Sequence, residues 1–121
     1  MELADGVVAV HEGIDAARRA LDAGDRLAAA RALRATYRER FQALEDAFRA
    51  VDAQATLELE FEFGAVAYDL SGRVDPAEAG ARLQALDRRV DALAARVDTA
   101  AGGGSPQPAV RPAAEATPTA Q

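Results

Sequence analysis

Apolar residues recur every three or four positions along most of this chain, and this period constrains the fold more than any other feature. In an α-helix, such a spacing places the side chains on one face, which must be buried against another element. The pattern predicts helices over 3–22 and 26–51, and another that begins near residue 76. The three stripes are Leu3, Val7, Val10, Ile14, Ala17 and Leu21; Ala30, Leu33, Tyr37, Phe41, Leu44, Phe48 and Val51; and Ala79, Leu83, Leu86, Val90, Leu93 and Val97.

Residues that end and start helices separate these stretches. Gly24 is suited to end the first helix, and Asp25 is suited to cap the second. Asp52 offers a further N-cap, and residues 75–78 (Asp-Pro-Ala-Glu) combine a cap, a proline at the first helical position and a capping box. The sequence therefore predicts an all-α, up-down four-helix bundle over residues 1–100.

Residues 101–121 read AGGGSPQPAVRPAAEATPTAQ and show no apolar period. Glycine, proline and alanine in this proportion predict a disordered tail or linker. Such a segment either tethers the bundle to another component or is a frayed end, and the residues leave both open.

Composition excludes several classes of function. The net charge of −6, the pI of about 4.7 and the lack of a basic stripe argue against a nucleic-acid partner. The chain has no cysteine, which excludes disulfides, thiolate metal sites and cysteine nucleophiles. No apolar run is long enough to predict a direct membrane span, and no secretory signal is visible. A cytoplasmic protein, a mature chain and a piece of a longer protein all remain open.

The segment TLELEFEF, residues 56–63, alternates apolar and acidic residues as a half-exposed strand does. A single strand among helices would have no partner for its backbone, however, and the following AVAYDL makes the segment too long for a typical strand. We therefore predict a helix that continues to about Leu70.

A helical wheel of this segment, at about 100° per residue, separates its apolar residues into two stripes. One stripe holds Leu57, Phe61, Gly64 and Tyr68, and the other holds Leu59, Phe63, Val66 and Leu70. One of the two gaps between the stripes contains Glu58, Glu62 and Asp69. The other gap contains Glu60 and Ala67. If the gap with three acids faces solvent, Glu60 points into the bundle.

A buried carboxylate has to be paired, protonated or bound to a metal ion. One interpretation of Glu60 is an ion pair with an arginine or histidine of another helix, which would fix the register of the bundle. The other is a cation site formed by Glu60 with Glu45 and His11. The candidate partners on the first two helices are His11, Arg18, Arg34 and Glu45.

Glu45 and His11 each have a simpler role available. Glu45 precedes Arg49 by four residues, which suits a surface ion pair, and His11 lies beside the first apolar stripe. Motifs for di-iron, hydrolase or phosphate chemistry (Glu-x-x-His, G-x-S-x-G and a Gly-rich phosphate loop) are absent from the sequence. We therefore predict that the chain is not an enzyme.

Residues 21–66, LDAGDRLAAARALRATYRERFQALEDAFRAVDAQATLELEFEFGAV, resemble the extracytoplasmic helical domain of bacterial high-affinity iron permeases. That family shows a helix ending in A-A-G-D, a helix with a tyrosine and a G-F-E-x-x-E-like patch, an Asp-capped turn, and a helix carrying I-E followed by an aromatic and a small residue. The matching positions here are Gly24, Asp25, Tyr37, Phe41, Glu45, Asp52, Leu59, Glu60, Phe63 and Gly64.

Two departures from the family pattern are clear. Gln42 stands where the patch has its first glutamate, and the arginine-glutamate motif of the membrane part is missing. If the missing acid handles iron, this chain would have a weaker or altered site. It would not be a permease by itself.

The resemblance implies iron as the bound or transported cation, with Glu60 first and Glu45 second among its ligands. It implies an iron permease membrane domain or subunit as the partner, and an extracytoplasmic location. The alternative is a metal-free protein-interaction bundle in which Glu60 forms a buried salt bridge. Apolar residues left exposed on the closed bundle would mark such a partner surface.

Overall fold

The computed structural model describes residues 3–100, which are almost entirely helical and contain no strand. The predicted all-α class is therefore confirmed, and the predicted tail over 101–121 lies outside the described residues. The helices are α1 (Leu3–Asp22), α2 (Arg26–Glu39), a 3₁₀ turn (Phe41–Leu44), α3 (Glu45–Val51), α4 (Ala53–Ser71) and α5 (Pro76–Asp98).

The predicted helix starts are confirmed by hydrogen bonds at their caps. The side chains of Asp25, Asp52 and Asp75 each accept a hydrogen bond from a backbone N–H two or three residues further on, at 2.9 to 3.1 Å. Gly24, which ends the turn after α1, has a φ of 85°, a left-handed conformation that L side chains rarely adopt. Three short connections are thus set by local residue chemistry.

The prediction of one continuous helix over 26–51 is wrong. The helix ends at Glu39, and a turn at Arg40 and a 3₁₀ turn over Phe41–Leu44 precede α3. No glycine or proline marks this break. Arg40 instead donates a hydrogen bond from its guanidinium to the carbonyl oxygen of Ala9 on α1, at 2.8 Å. The residue at the break thus contacts another helix, and periodicity alone does not reveal this contact.

The helices form four arms around one core, and the bent α2–α3 arm contacts α1, α4 and α5. Helix α1 packs against α2 and α5, and α4 packs against the same two helices from the opposite corner. The bent α2–α3 segment serves as one arm. Aromatic rings fill part of the centre, with ring centroids 5.0 to 5.7 Å apart; they belong to Tyr37, Phe41, Phe48 and Phe63.

Helix α4 contains the TLELEFEF segment, so its predicted helical state is confirmed. Its stripe of Leu59, Phe63, Val66 and Leu70 is buried in the core. The predicted orientation of the other residues is right only in part. The gap with Glu60 does face the bundle, since Ala67 is buried. The exposed face, however, is formed by the stripe containing Phe61 together with Glu58, whereas Glu62 and Asp69 of the acidic gap are half-buried. Helix α4 packs against the α2–α3 arm and α5, and this stripe closes the core together with the buried Thr56 and Ala67.

Candidate functional site

Glu45 and Glu60 lie together at the contact between α3 and α4, with Arg49 between them. The Arg49 Nη2 atom is 3.5 Å from a carboxylate oxygen of Glu45 and 3.3 Å from one of Glu60. Both carboxylate side chains are largely shielded, with exposed fractions of 15% and 19%. Glu60 therefore faces the bundle but lies at the edge of the core and is not fully buried.

The sequence around Asp52 explains how the two glutamates meet. Glu45 begins α3, and Arg49 follows it by one helical turn on the same face. Asp52 then reverses the chain between α3 and α4, and α4 runs back along α3 so that Glu60 reaches the same arginine. The arginine–carboxylate contacts are thus a consequence of a tight helical hairpin.

This cluster raises the pKa values of Glu45 and of the neighbouring Tyr37. A hydrogen bond to Glu60 raises the pKa of Glu45, and burial and the Glu60 charge raise it further, while Arg49 acts in the opposite direction. Burial, followed by the charges of Glu60 and Glu45, raises the pKa of Tyr37. Two acids with one arginine leave this cluster with an excess of negative charge.

Arg49 is the partner of Glu60 that sequence reasoning missed. In the sequence, Arg49 follows Glu45 by four residues, but this spacing predicts only an ion pair within one helix. Neither Arg18 nor Arg34 forms an ion pair with Glu60 among the described residues. The observed contact corresponds to the ion-pair interpretation of Glu60, with a different arginine from those proposed.

His11 lies elsewhere in the bundle, between α1 and α5. Its Nδ1 atom contacts Asp87, and its Nε2 atom is 2.7 Å from a carboxylate oxygen of Asp91. Burial lowers the pKa of His11, but the hydrogen bonds and charges of the two aspartates outweigh it, and the pKa is raised overall. The structure therefore brings Glu45 and Glu60 together and places His11 in a separate cluster.

The arrangement of His11 suits an ion pair better than a metal site. The two ring nitrogens lie on different edges of the imidazole, so the aspartates flank the ring and do not converge with it on one point. Within residues 3–100, no group of three or more His, Cys, Asp or Glu side chains is arranged to hold a metal ion.

The second apolar stripe of α4, formed by Leu57, Phe61, Gly64 and Tyr68, lies on the outer surface; we call it the α4 seam. The exposed fractions are 45% for Leu57, 71% for Phe61 and 73% for Tyr68. A Cβ atom added at Gly64 would have no neighbour within 4 Å. Large apolar side chains at this spacing on one exposed face are typical of a contact surface.

None of the helices in residues 3–100 combines the length and the apolar character needed to cross a membrane, as the sequence predicted. No protein-family model, curated protein or solved structure matches this chain. The resemblance to iron permeases therefore remains a prediction from the residues that carry it.

Proposed function

We propose that this chain is a non-catalytic protein-interaction bundle that binds a partner through the α4 seam. The observation that carries the proposal is the exposure of Phe61 and Tyr68, which are each more than two thirds exposed although they belong to an apolar stripe of a core-packed helix. Single exposed apolar residues are common on protein surfaces, but here two aromatic residues and a leucine share one face of one helix.

The rest of the bundle supports this role. The opposite stripe of α4 is the one that packs in the core, so the side chains of the seam are available to contact a partner. The Arg49–Glu60 ion pair joins α3 to α4 and favours one register of the hairpin. The opposite face of α4 is packed in the core, so the helix would hold the side chains of the seam in a defined geometry.

A photo-crosslinking experiment tests the proposal. A photoreactive phenylalanine analogue replaces Phe61 in the full chain, expressed in its source cells, and Leu27 on α2 serves as the control position because it is also exposed (58%). We expect a discrete adduct of defined mass from position 61, absent at position 27 and lost when Tyr68→Ser is added. Equal adducts at both positions, or none at position 61, would contradict the proposal.

Binding of a cation by Glu45 and Glu60 is a second candidate function. The proximity of the two carboxylates favours this function. The resemblance to iron permeases implies that both carboxylates are iron ligands. In this proposal the chain passes iron to a separate permease membrane domain or subunit from an extracytoplasmic position. Oxygen ligands suit iron but do not distinguish it sharply from manganese. Arg49 lies between the two acids, so a cation would have to displace its guanidinium group.

Thermal melts of the chelated protein with and without iron, manganese and zinc test this second function. We expect metal-dependent stabilisation that Glu60→Gln abolishes and that Arg49→Met increases, since the competing charge is removed. Glu58→Gln is the matched control, because Glu58 lies on the same helix and points to solvent. The same melting temperature with every metal would exclude cation binding.

A further inference from the structure

We infer that three exposed arginines of α2 are a docking surface for the acidic flank of an amphipathic helix of a partner protein. These residues are Arg31, Arg34 and Arg38, and we call them the arginine row. The inference rests on the proposed interaction function, because the same helix would cover the α4 seam with its apolar face. It adds the charge and the secondary structure of the partner.

The arginine row is a local concentration of positive charge in an acidic chain. Helix α2 contains four arginines and one acid, whereas the whole chain has a net charge of −6. The arginines of the row follow one another at intervals of three and four positions, so they share one face of the helix, and all three are exposed. In the part of the chain that the structure describes, Arg38 has a single contact of 4.0 Å with the exposed Glu39, and the other two arginines of the row form no ion pair.

The row lies on the edge of α2 that adjoins α4. Thr36 marks the opposite edge, because it packs closely on α1. Tyr37 marks the edge towards α4, since its ring centroid is 5.5 Å from that of Phe63. At about 100° per residue, Arg34 and Arg38 lie next to Tyr37, on the side away from Thr36.

The seam likewise lies on the edge of α4 that adjoins α2. Asp69 marks the edge towards α5, because it pairs with Arg82. Glu60 marks the edge towards α2, where its charge raises the pKa of Tyr37. Around the helix axis, Gly64 at the centre of the seam is about 40° from Glu60 and about 140° from Asp69. The seam and the arginine row are therefore the two sides of one groove between α2 and α4.

The row is also level with the seam along the groove. The side chain of Arg26, at the start of α2, donates hydrogen bonds to the carbonyl oxygens of residues 69 and 70, at 2.8 and 2.7 Å. Further along α2, Tyr37 lies beside Phe63, so the two helices run antiparallel. The row lies almost entirely between these two contacts and therefore runs beside the seam. Leu27, the control position of the crosslinking experiment, lies beside the end of α4, beyond the seam.

A single helix in this groove would contact both of its sides. The seam residues recur at intervals of four and three positions, as do the arginines, and this spacing matches a facing helix better than an extended peptide, which repeats every two residues. Carboxylates on one flank of that helix would meet the guanidinium groups, which bind carboxylates with two parallel hydrogen bonds.

The net charge of the chain favours such a local acidic partner over an extended polyanion. Nucleic acid or an anionic bilayer would also face the acids on the rest of the surface, and the net charge of −6 would oppose its approach. A helix in the groove lies within one Debye length of the arginine row, whereas acids on distant helices are screened at ordinary salt.

Titration of the ¹⁵N-labelled full chain with synthetic peptides of about 20 residues tests the inference. The first peptide has a leucine ridge with glutamate along one flank, and the second has arginine in place of the glutamates. The third has the composition of the first in an order that removes the ridge. NMR signals of the backbone amides and of the arginine Nε–H groups report both the affinity and the site.

Two variants of equal charge separate the arginine row from net charge. The row variant carries Arg31→Gln, Arg34→Gln and Arg38→Gln. The control variant carries Arg19→Gln, Arg73→Gln and Arg88→Gln, which replace exposed arginines on α1, in the turn after α4 and on α5. None of these three has an ion pair among the described residues. Melting temperatures establish that both variants are folded.

We expect the acidic amphipathic peptide to bind and to shift signals of the arginine row and of the seam. The row variant should bind it about tenfold more weakly, because three exposed charge pairs are lost, and the control variant should change the affinity by less than about twofold. The other two peptides should bind at least about tenfold more weakly than the first. Phe61→Ser together with Tyr68→Ser should also weaken the binding, since the apolar anchors are removed.

Several results would overturn the inference. Equal losses in the row and control variants would reduce the effect to net charge, and equal binding of the acidic and basic peptides would contradict an acidic partner. Cosedimentation with phosphatidylserine vesicles that the row variant abolishes, without peptide binding, would identify a membrane surface instead. A dimer in sedimentation that Phe61→Ser abolishes would identify a second copy of the chain. The crosslinking experiment at position 61 tests the seam itself, so its failure is distinguishable from all of these.

Discussion

Gly13 shows how strongly one position depends on its neighbour in space. A Cβ atom on Gly13 would lie 2.0 Å from the Oγ1 atom of Thr36, so α1 and α2 approach each other very closely there. Thr36 is itself buried, and its hydroxyl donates a hydrogen bond to the carbonyl oxygen of Ala32 at 2.8 Å. Gly64 is the opposite case, a helical glycine with empty space around it.

These two glycines give a matched prediction at the scale of the residue. Gly13→Ala should lower the free energy of unfolding by about 1 to 3 kcal/mol, because the new methyl group overlaps Thr36. Gly64→Ala should raise it by up to about 1 kcal/mol, because alanine favours the helix and meets no neighbour. Urea unfolding of both variants measures the difference. An equal effect of the two substitutions would contradict the close packing of α1 and α2.

Helix α4 shows how one element carries two apolar stripes for two purposes. The stripe with Phe63 closes the core, where its ring lies 5.0 Å from that of Phe41, and the stripe with Phe61 forms the seam on the opposite face. Glu60 lies at the border between them and is held by Arg49. The alternation of TLELEFEF thus reflects a helix with an inner and an outer apolar face.

Phe61 and Phe63, two residues apart on this helix, should differ sharply on truncation. Phe63→Ala should cost about 3 to 5 kcal/mol of unfolding free energy, because it leaves a cavity in the core. Phe61→Ala should change stability by no more than about 0.5 kcal/mol, as is usual at an exposed site. Chemical denaturation of both variants checks this. A large loss with Phe61→Ala would mean that the seam contributes to the fold itself.

The bundle as a whole is closed by the contact between its first and last helices. At this closure Gly80 of α5 faces Arg18 and Leu21 of α1, and His11 contacts Asp87 and Asp91. The two helices are far apart in sequence, so their contact depends on the two helical arms between them having folded back on each other. His11 is the only histidine of the chain.

This closure should depend on pH in a defined direction. The raised pKa of His11 means that the folded state binds the proton more tightly than the unfolded state. The ion pairs of His11 with Asp87 and Asp91 therefore stabilise the fold fully at a pH below the ordinary histidine pKa of about 6.5. This stabilisation is lost as the pH rises through the pKa of His11 in the folded state.

Thermal melts of the natural chain and of His11→Gln between pH 5 and 9 measure this effect. We expect the two melting temperatures to differ most at the acidic end and to converge at the alkaline end. Asp87→Asn should reproduce part of the loss at low pH. A difference that does not change with pH would show that His11 acts through packing alone.

Residue patterns within one stretch of chain allowed much of the fold to be predicted. The apolar period predicted the helices, and Asp25, Asp52 and Asp75 predicted where three of them begin, because a cap acts on backbone groups two or three residues away. The same local chemistry indicated that Glu60 needs a partner. These features depend on neighbours along the sequence, so the sequence by itself determines them.

Tertiary structure alone decided the rest. At the turn, Arg40 donates a hydrogen bond to the carbonyl group of Ala9 on another helix. The choice of Arg49 as the partner of Glu60 depends on how α4 folds back on α3. Both apolar stripes of α4 had the chemistry to be buried, but α2, α3 and α5 all pack against the other side of the helix, and their positions left Phe61 and Tyr68 in solvent. A helical wheel gives the angular positions of residues around the helix axis, whereas their burial is set by the helices that pack against that helix.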